Sequence, residues 1–258
     1  MNDYKCGLVS ISFRKYTPQE IISAVKNCGL QCIEWGSDIH APRNDIEKLN
    51  EIVKLQNKYG IYCSSYGTYF HLGQDDLSEL NEYIAAAKIL GTKIIRLFCG
   101  DKAAEEYSET EKKEFLKECK KAAKIAEEHD VIFCMECHNW SYTQTIEGAL
   151  YLMKEISSPN FRMYWQLNQF VSEEENIRYS KLISKYSEHI HVFNWKGRER
   201  HSLLEGKEMW NSYLNNFEKN KTLLLEFMPD DKIESLKQES DALFEIVKMR
   251  NSDKECAL

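Results

Sequence analysis

Residues 93–138 read KIIRLFCGDKAAEEYSETEKKEFLKECKKAAKIAEEHDVIFCMECH and contain two short apolar runs on either side of a helical pattern. The runs at 93–98 and 132–138 are typical of buried strands. Between them, Ser108 and Glu111 have the spacing of a capping box, which begins a helix. The apolar residues that follow recur at helical spacing, as in a helix that packs one face on a sheet. The segment therefore predicts two parallel strands joined by a helix.

The same unit recurs along the whole chain of 258 residues. The predicted strands lie at 6–13, 32–36, 61–66, 93–98, 132–138, 161–168, 189–195 and 221–228. A helical pattern follows each strand, and the patterns with clear limits run over 44–59, 145–156, 173–185, 208–217 and 232–249. Eight units of about 32 residues each are typical of a closed (β/α)8 TIM barrel.

A doubly wound open sheet is the alternative architecture. Such a sheet usually carries a glycine-rich phosphate loop after an early strand, and the chain has neither a GxGxxG motif nor a P-loop. Because no linker or change of composition divides the chain, we expect one barrel domain over 1–250. The polar tail at 251–258 is expected to be frayed.

Charge and hydropathy exclude several classes of protein. The 34 basic and 41 acidic residues give a net charge of -7, which argues against a general nucleic-acid binder but leaves a local basic patch open. No apolar run approaches the roughly 18 residues of a membrane span. The first residues lack the basic-then-apolar order of a signal peptide, so we expect a cytoplasmic protein.

The nine cysteines are odd in number and irregularly spaced, which indicates reduced thiols rather than disulfides. Cys134 and Cys137 form a CxxC motif, but they lie in a predicted strand. Residues three positions apart on a strand face opposite sides, so these two cannot easily share a metal. We interpret them as small buried hydrophobic residues.

Candidate functional residues stand at the C-terminal ends of the predicted strands, where barrel chemistry is located. Parallel barrel strands are covered on both faces and should be almost continuously apolar. Glu136 and Glu226 break this pattern, and a buried carboxylate is costly unless it is paired, protonated or bound to a metal. Together with His191 in strand seven, the two carboxylates could hold a divalent cation.

Each of these residues also has a purely structural interpretation. Either carboxylate alone could form a buried ion pair with Arg96 or Lys93, and His191 could be a hydrogen-bonded core histidine. Three further polar residues are weaker candidates because each could face solvent on a loop: Glu34, His40 and His71. The convergence of so many polar and aromatic residues on one predicted face favours a functional site.

Five segments carry a resemblance to a known family: GLQCIEWG (29–36), IIRLFCG (94–100), MECHN (135–139), HIHVF (189–193) and LLEF (224–227). With these segments in this order, the chain resembles the xylose isomerase-like sugar phosphate isomerase/epimerase superfamily, which shares its barrel with endonuclease IV. The resemblance covers nearly the whole chain.

The resemblance implies a site for one divalent metal ion. The family typically binds it through a Glu on strand five, an Asp on strand six, a His, and a Glu on strand eight, which correspond to Glu136, the Gln166 region, His191 and Glu226. Gln166 supplies only a neutral amide oxygen, a weaker ligand than a carboxylate. Metal affinity is therefore expected to be lower, or His138 or water completes the ligand set, or the site is metal-free. Mixed ligands of this kind admit manganese, magnesium, cobalt or zinc.

By the same resemblance, Glu136 and Glu226 are an acid/base pair that moves a proton next to a carbonyl group through an enediolate. The implied substrate is a small ketose, a sugar phosphate or a related hydroxy-carbonyl compound. The residues expected to bind it are Trp35, His40, Tyr66, Arg96, His138, Asn168, Trp195 and Lys196. Lys196 with Arg198 could clamp an anion, although a solvated pair of loop charges is the simpler interpretation.

Three other functions compete with this one. A keto-sugar or keto-inositol dehydratase would use the same enolate chemistry. An abasic-site endonuclease would need more metal ligands than the strand ends offer, and the missing Asp leaves room for a non-catalytic sugar-binding barrel. No nucleic-acid or membrane partner is expected. The oligomeric state is open, and Trp210 and Tyr213 would belong to an interface if they were exposed.

Overall fold

The centre of the fold is a closed barrel of eight parallel strands, in a computed structural model that describes residues 4–252. The strands are β1 (Lys5–Val9), β2 (Cys32–Gly36), β3 (Tyr62–Leu72), β4 (Ile94–Cys99), β5 (Ile132–Glu136), β6 (Phe161–Trp165), β7 (Ser187–Val192) and β8 (Thr222–Leu225). The ring closes because β1 pairs with both β2 and β8. The predicted single (β/α)8 TIM barrel is confirmed.

Eight helices surround the barrel, one after each strand. They are α1 (Pro18–Asn27), α2 (Ile46–Tyr59), α3 (Leu80–Leu90), α4 (Glu109–Glu128), α5 (Ile146–Ile156), α6 (Glu173–Ile183), α7 (Lys207–Leu214) and α8 (Leu236–Ser252). The capping box predicted from Ser108 and Glu111 is present at the start of α4. The predicted tail at 251–258 overlaps the last two residues of α8, and 253–258 lie outside the described residues.

Every strand except β2 differs from its predicted limits, and the differences at β1 and β3 change the architecture most. β1 ends at Val9 rather than at 13, because the chain turns into a short 3-10 helix over Ser10–Phe13. β3 continues to Leu72 rather than ending at 66, and its pairing with β4 shifts register between Gly67 and His71. A register shift of this kind bends a strand without ending it, so β3 carries extra residues to the rim of the barrel.

Side chains inside the barrel form two layers. The lower layer is a cluster of small and apolar side chains with one tyrosine: Val9, Ile11, Cys32, Cys134, Tyr164 and Leu224. Residues two positions further along three of these strands are charged and buried: Glu34, Glu136 and Glu226. Because alternate residues of a strand share a face, these carboxylates also point into the barrel.

Several residues lie between the barrel and its helices. Cys137 belongs to this outer cluster while Cys134 lies inside the barrel, which confirms that the CxxC pair faces opposite sides. Trp210 and Tyr213 are buried here against Trp165, so they are not available for an interface between subunits. None of the helices in residues 4–252 is long and apolar enough to cross a membrane.

Candidate active site

A cavity of about 710 Å³ opens at the C-terminal ends of the strands. Its floor is polar and includes Arg96, Glu136, Gln166 and Glu226. Its walls are largely aromatic and include Tyr69, Phe98, Trp140, Phe170, Phe193, Trp195 and Phe227. The strand ends thus surround a polar floor with apolar walls, which is the usual composition of a small-molecule site.

Three oxygen atoms surround one nitrogen at this floor. His191 Nδ1 lies 3.1 Å from Gln166 Oε1, 3.3 Å from Glu136 Oε1 and 3.4 Å from Glu226 Oε2. Ligand atoms of Glu136, His191 and Glu226 all lie within 4.8 Å of one another. The structure therefore brings together all four residues expected to form the metal site.

The spacing of these atoms fits a divalent cation. Donors that surround one cation with bonds of about 2.1 Å are themselves separated by about 3.0–3.4 Å. The distances from His191 Nδ1 to the three oxygens fall in this range. One imidazole nitrogen, two carboxylates and one amide oxygen also form a donor set that manganese, magnesium, cobalt or zinc would accept.

The two carboxylates have different electrostatic surroundings. Arg96 Nη1 donates to Glu136 Oε2 at 2.6 Å. Although burial alone would raise it, this guanidinium lowers the pKa of Glu136 to about 2. Burial raises the pKa of Glu226, which His191 partly opposes and Glu136 increases. Glu226 is therefore the stronger base of the pair.

His191 is fully buried and lies among negative charges. Burial disfavours its charged form, but Glu226 and Glu34 outweigh burial and raise the pKa of His191 to about 10. In the absence of a cation, the ring is therefore a positively charged imidazolium at neutral pH, with a proton on each nitrogen. The proton on Nδ1 occupies the position where a metal ion would bind, so the proton and the metal ion compete for Nδ1.

Glu34 is the principal residue that the sequence did not assign to the site. It is fully buried rather than exposed on a loop, and its Oε1 accepts from Arg96 Nε at 2.9 Å. Burial would raise the pKa of Glu34, but Arg96 and His191 hold it well below its usual range. The alternation of Cys32 and Glu34 along β2 was the available signal, because both face the barrel interior.

Three of the predicted substrate-binding residues line the cavity. Arg96 does so at the floor, although its Nε and Nη1 already bind carboxylates. His138 lies between the rings of Phe98 and Trp140, with Nδ1 against the Asn139 carbonyl at 2.7 Å. Trp195 forms part of the opposite wall.

The other five predicted substrate-binding residues are not among those that line the cavity: Trp35, His40, Tyr66, Asn168 and Lys196. Trp35 and Tyr66 face outwards, where they donate to Gln56 Oε1 at 2.9 Å and to the Ala41 carbonyl at 2.6 Å. Trp35 follows the inward-facing Glu34, and Tyr66 follows Ser65, which contacts Glu34. Strand alternation therefore turns both aromatic side chains towards the helices.

His40, Asn168 and Lys196 have local surroundings instead. His40 is buried rather than exposed, with its ring nitrogens 3.2 Å from Ser10 Oγ and from the Tyr16 carbonyl. Asn168 Oδ1 accepts from the backbone of its own loop. Lys196 is exposed in a short hairpin over residues 195–200. Of the two residues of the predicted anion clamp, Arg198 lines the cavity and Lys196 does not.

Two bulky aromatic residues of the cavity wall have left-handed backbone conformations. Trp140 has a φ of 59° and Phe227 a φ of 55°. Such angles are strained for large side chains and are retained where surrounding contacts impose them. The Trp140 amide donates to Gln144 Oε1 at 2.7 Å, and the Phe227 amide donates to Ser12 Oγ at 2.9 Å. These bonds hold the backbone of both residues at the rim of the cavity.

Comparison with known families supports this assignment of the fold. A family model described as xylose isomerase-like TIM barrel matches residues 22–221. A curated 3-dehydroshikimate dehydratase of Bacillus anthracis is 26% identical over 72 residues. That alignment covers 28% of this chain and 26% of the relative, so the chain matches about a quarter of the relative's length.

Solved structures with the same fold cover nearly the whole chain. A probable 3-DHS dehydratase, AsbF of Bacillus anthracis, superposes with a TM-score of 0.80 at 16% identity, covering 94% of this chain and 98% of that one. D-psicose 3-epimerase of Clostridium cellulolyticum H10, solved with D-tagatose, gives 0.66 at 16% identity, with 95% and 98% covered. A barrel of Mycobacterium smegmatis in complex with magnesium gives 0.71 at 10% identity, with 96% and 97% covered.

Proposed function

Because the chain belongs to the xylose isomerase-like TIM barrel family, we propose that it is an isomerase or epimerase of a small hydroxy-carbonyl compound. The substrate class is a ketose, a sugar phosphate or a close relative. The reaction moves a proton on the carbon next to the carbonyl group and passes through an enediolate.

One observation carries the proposal. The carboxylates of Glu136 and Glu226 meet at His191 Nδ1, at distances of 3.3 and 3.4 Å, on the floor of an open cavity. Two carboxylates with different basicity beside one imidazole are an arrangement that enzymes use for proton transfer. A purely structural barrel interior would gain nothing from two carboxylates so close together.

The proposed metal ligands are Glu136, Gln166, His191 and Glu226. When bound, a divalent cation would supply positive charge beside the carbonyl oxygen of the substrate, where negative charge develops as the proton leaves the neighbouring carbon. The amide of Gln166 contributes an oxygen without charge. The chain therefore offers a divalent cation two negatively charged ligands, rather than the three that an Asp on strand six would give.

The residues of the chain divide the proton transfer between them. Glu226, the stronger base, removes the proton from the carbon. In an epimerase, Glu136 delivers to the opposite face a proton that it takes up from solvent through the open cavity, while Glu226 releases its own proton to solvent; in an isomerase, Glu226 returns the proton to the adjacent carbon. Arg96 holds Glu136 in place. The aromatic walls offer apolar surface to the C–H faces of the substrate.

A dehydratase is the second candidate, and His138 is the observation that favours it. Its Nδ1 lies 2.7 Å from the Asn139 carbonyl and so carries the proton of the neutral ring. The ring lines the cavity two residues beyond Glu136. In its imidazolium form it keeps the Nδ1 proton on the Asn139 carbonyl and carries a second proton on Nε2, which it can give to a departing hydroxyl group as it returns to the neutral ring. The named dehydratase relatives carry out the reaction in which such a group leaves.

Deuterium exchange tests the proposal. The purified protein, loaded with Mn²⁺, is incubated in heavy water with ketoses, ketose phosphates and cyclic hydroxy-ketones, and the products are followed by NMR. We expect deuterium next to the carbonyl and a product of unchanged composition. A product that has lost water would favour the dehydratase.

Two controls make the result decisive. Glu226→Gln should abolish exchange. Glu239→Gln should not, because Glu239 is a buried carboxylate that accepts from the Leu203 amide and is not among the residues that line the cavity. Absence of exchange from every compound, with ligand binding retained, would contradict an enzymatic role and leave a sugar-binding barrel.

A further inference from the structure

Glu34 reaches the metal-ligand cluster from the other side of the barrel. It lies on β2, which is separated from β5 by two strands and from β7 by two others. Its side chain is fully buried. One oxygen, Oε1, accepts from Arg96 Nε at 2.9 Å. The other, Oε2, accepts from Ser65 Oγ at 2.9 Å and faces His191 Nε2 at 3.5 Å.

The second ring nitrogen of His191 has no hydrogen-bond partner within the part of the chain that is described. Nδ1 faces the three donor oxygens, so a metal bound there would take its lone pair. The ring proton must then lie on Nε2, because a neutral imidazole carries one proton. Glu34 Oε2, at 3.5 Å, is the carboxylate oxygen that can accept it after a small movement.

Glu34 also acts on a second ligand through Arg96. The guanidinium donates from Nε to Glu34 and from Nη1 to Glu136, at 2.9 and 2.6 Å. Arg96 is itself almost completely buried, so these two carboxylates determine where it lies. Removal of the Glu34 carboxylate would free one end of Arg96 and loosen its hold on Glu136.

The barrel leaves space for this carboxylate at Gly67. A Cβ atom at that position would lie 2.5 Å from Glu34 Oε1 and 2.9 Å from Arg96 Nη2. Both distances are too short for any side chain. The Tyr164 hydroxyl also donates to Ser65 Oγ at 2.6 Å, which orients Ser65 towards Glu34. Side chains from four strands therefore surround Glu34.

We propose that Glu34 is a positioning residue for the metal centre. With a metal on Nδ1, Glu34 accepts the proton that His191 keeps on Nε2 and so orients the ring towards the metal, and it holds Arg96 against Glu136. Carboxylates that accept from metal-bound histidines have this effect in many proteins, and their loss typically weakens metal binding 10–100-fold. The inference rests on the proposed metal-assisted function, but it concerns binding of the ion rather than the reaction.

The experiment measures metal binding without substrate. The affinity of the full-length protein for Mn²⁺ and Zn²⁺ is determined by competition with a fluorescent chelator. Glu34→Gln, which has nearly the same volume without the charge, should bind each ion about 10–100-fold more weakly. Glu34→Asp keeps the charge but moves it away from His191, because the side chain is shorter, so the metal affinity of this variant should be intermediate. Glu239→Gln removes another buried carboxylate and should bind as the parent does.

A second measurement reads the histidine itself. Long-range ¹H–¹⁵N NMR of the Zn²⁺-loaded parent should show the His191 proton on Nε2, and its shift should change in Glu34→Asp even if Glu34→Gln does not fold. Equal affinity in the parent and Glu34→Gln would overturn this inference alone. Failure of the parent to bind either ion would overturn it together with the metal-assisted function, whereas metal binding by the parent without any deuterium exchange would overturn the proposed function alone.

Discussion

The two layers of the barrel interior lie two residues apart on the same strands and differ completely in chemistry. Cys32, Cys134 and Leu224 of the lower layer are buried without any need for charged partners. The residues above them in β2 and β5 are Glu34 and Glu136, which are equally buried and bind one guanidinium. The lower layer therefore contributes apolar packing, and the upper layer holds charges in fixed positions.

This difference shows how one barrel separates stability from chemistry. Apolar side chains stabilise a fold roughly in proportion to the area that they bury. Buried charges contribute little net stability even when paired, since desolvation offsets their attraction. Substitutions in the two layers should therefore affect different properties of the protein.

The largest effect is expected in the upper layer. Glu226→Gln should lower the rate of proton exchange by about 10²–10⁴-fold, because it removes the stronger base of the pair. Exchange rates measured by NMR with saturating Mn²⁺ would test this. Circular dichroism should show an unchanged fold. A variant that keeps more than about a tenth of the parent rate would remove Glu226 from its role as base.

A substitution two residues away should have the opposite profile. Leu224→Ala should lower the free energy of unfolding by about 2–5 kcal/mol, since a fully buried side chain is truncated in a packed interior. Urea unfolding of the metal-free protein measures this loss. Metal affinity should stay within about threefold of the parent at a temperature where the variant is folded. A large loss of affinity would show that the layers are coupled.

Metal affinity of the parent should depend on pH. His191 has a raised pKa of about 10, so its protonated form is favoured in the metal-free protein below that pH. Because metal binding must displace this proton, apparent affinity should rise by about tenfold per pH unit between pH 6 and 8. Chelator competition at several pH values measures the slope. An affinity that does not change with pH would show that the metal ion and the proton do not compete for His191.

The smallest effect concerns the uncharged ligand. In the parent, the amide oxygen of Gln166 lies 3.1 Å from His191 Nδ1. Gln166→Asp places a carboxylate at this position and should tighten Mn²⁺ binding by about tenfold. The same substitution at Gln169, which lines the cavity without a contact to His191, is the matched control. Equal effects at both positions would indicate a general charge effect rather than a ligand at position 166.

Much of the upper layer could be predicted from the sequence. Glu136 and Glu226 stand out because they interrupt apolar strands, and barrel geometry places strand ends together. Both residues converge with His191 as expected. The ion pair of Glu136 with Arg96, considered as an alternative to a functional role, is present together with the cluster.

The side-chain directions at β2 and β3 could not be predicted as well. The sequence predicts Trp35 and Tyr66 at the cavity because they are aromatic and lie near strand ends, yet both face the helices. A continuously apolar strand offers no alternation from which to read its inner face. For Glu34 the error is the reverse. Its proximity to a loop suggests a solvent-exposed side chain, but it lies within β2 and is fully buried.

The number and order of the strand–helix units follow from local sequence, because each unit has its own period, caps and turn residues within about 30 positions. The meeting of Glu34 with Arg96 and His191, which are 62 and 157 residues away, follows from the closed barrel. Such contacts depend on barrel closure and on the register of non-adjacent strands. Local patterns do not encode these relations, so the charged layer becomes visible only when the ring is closed.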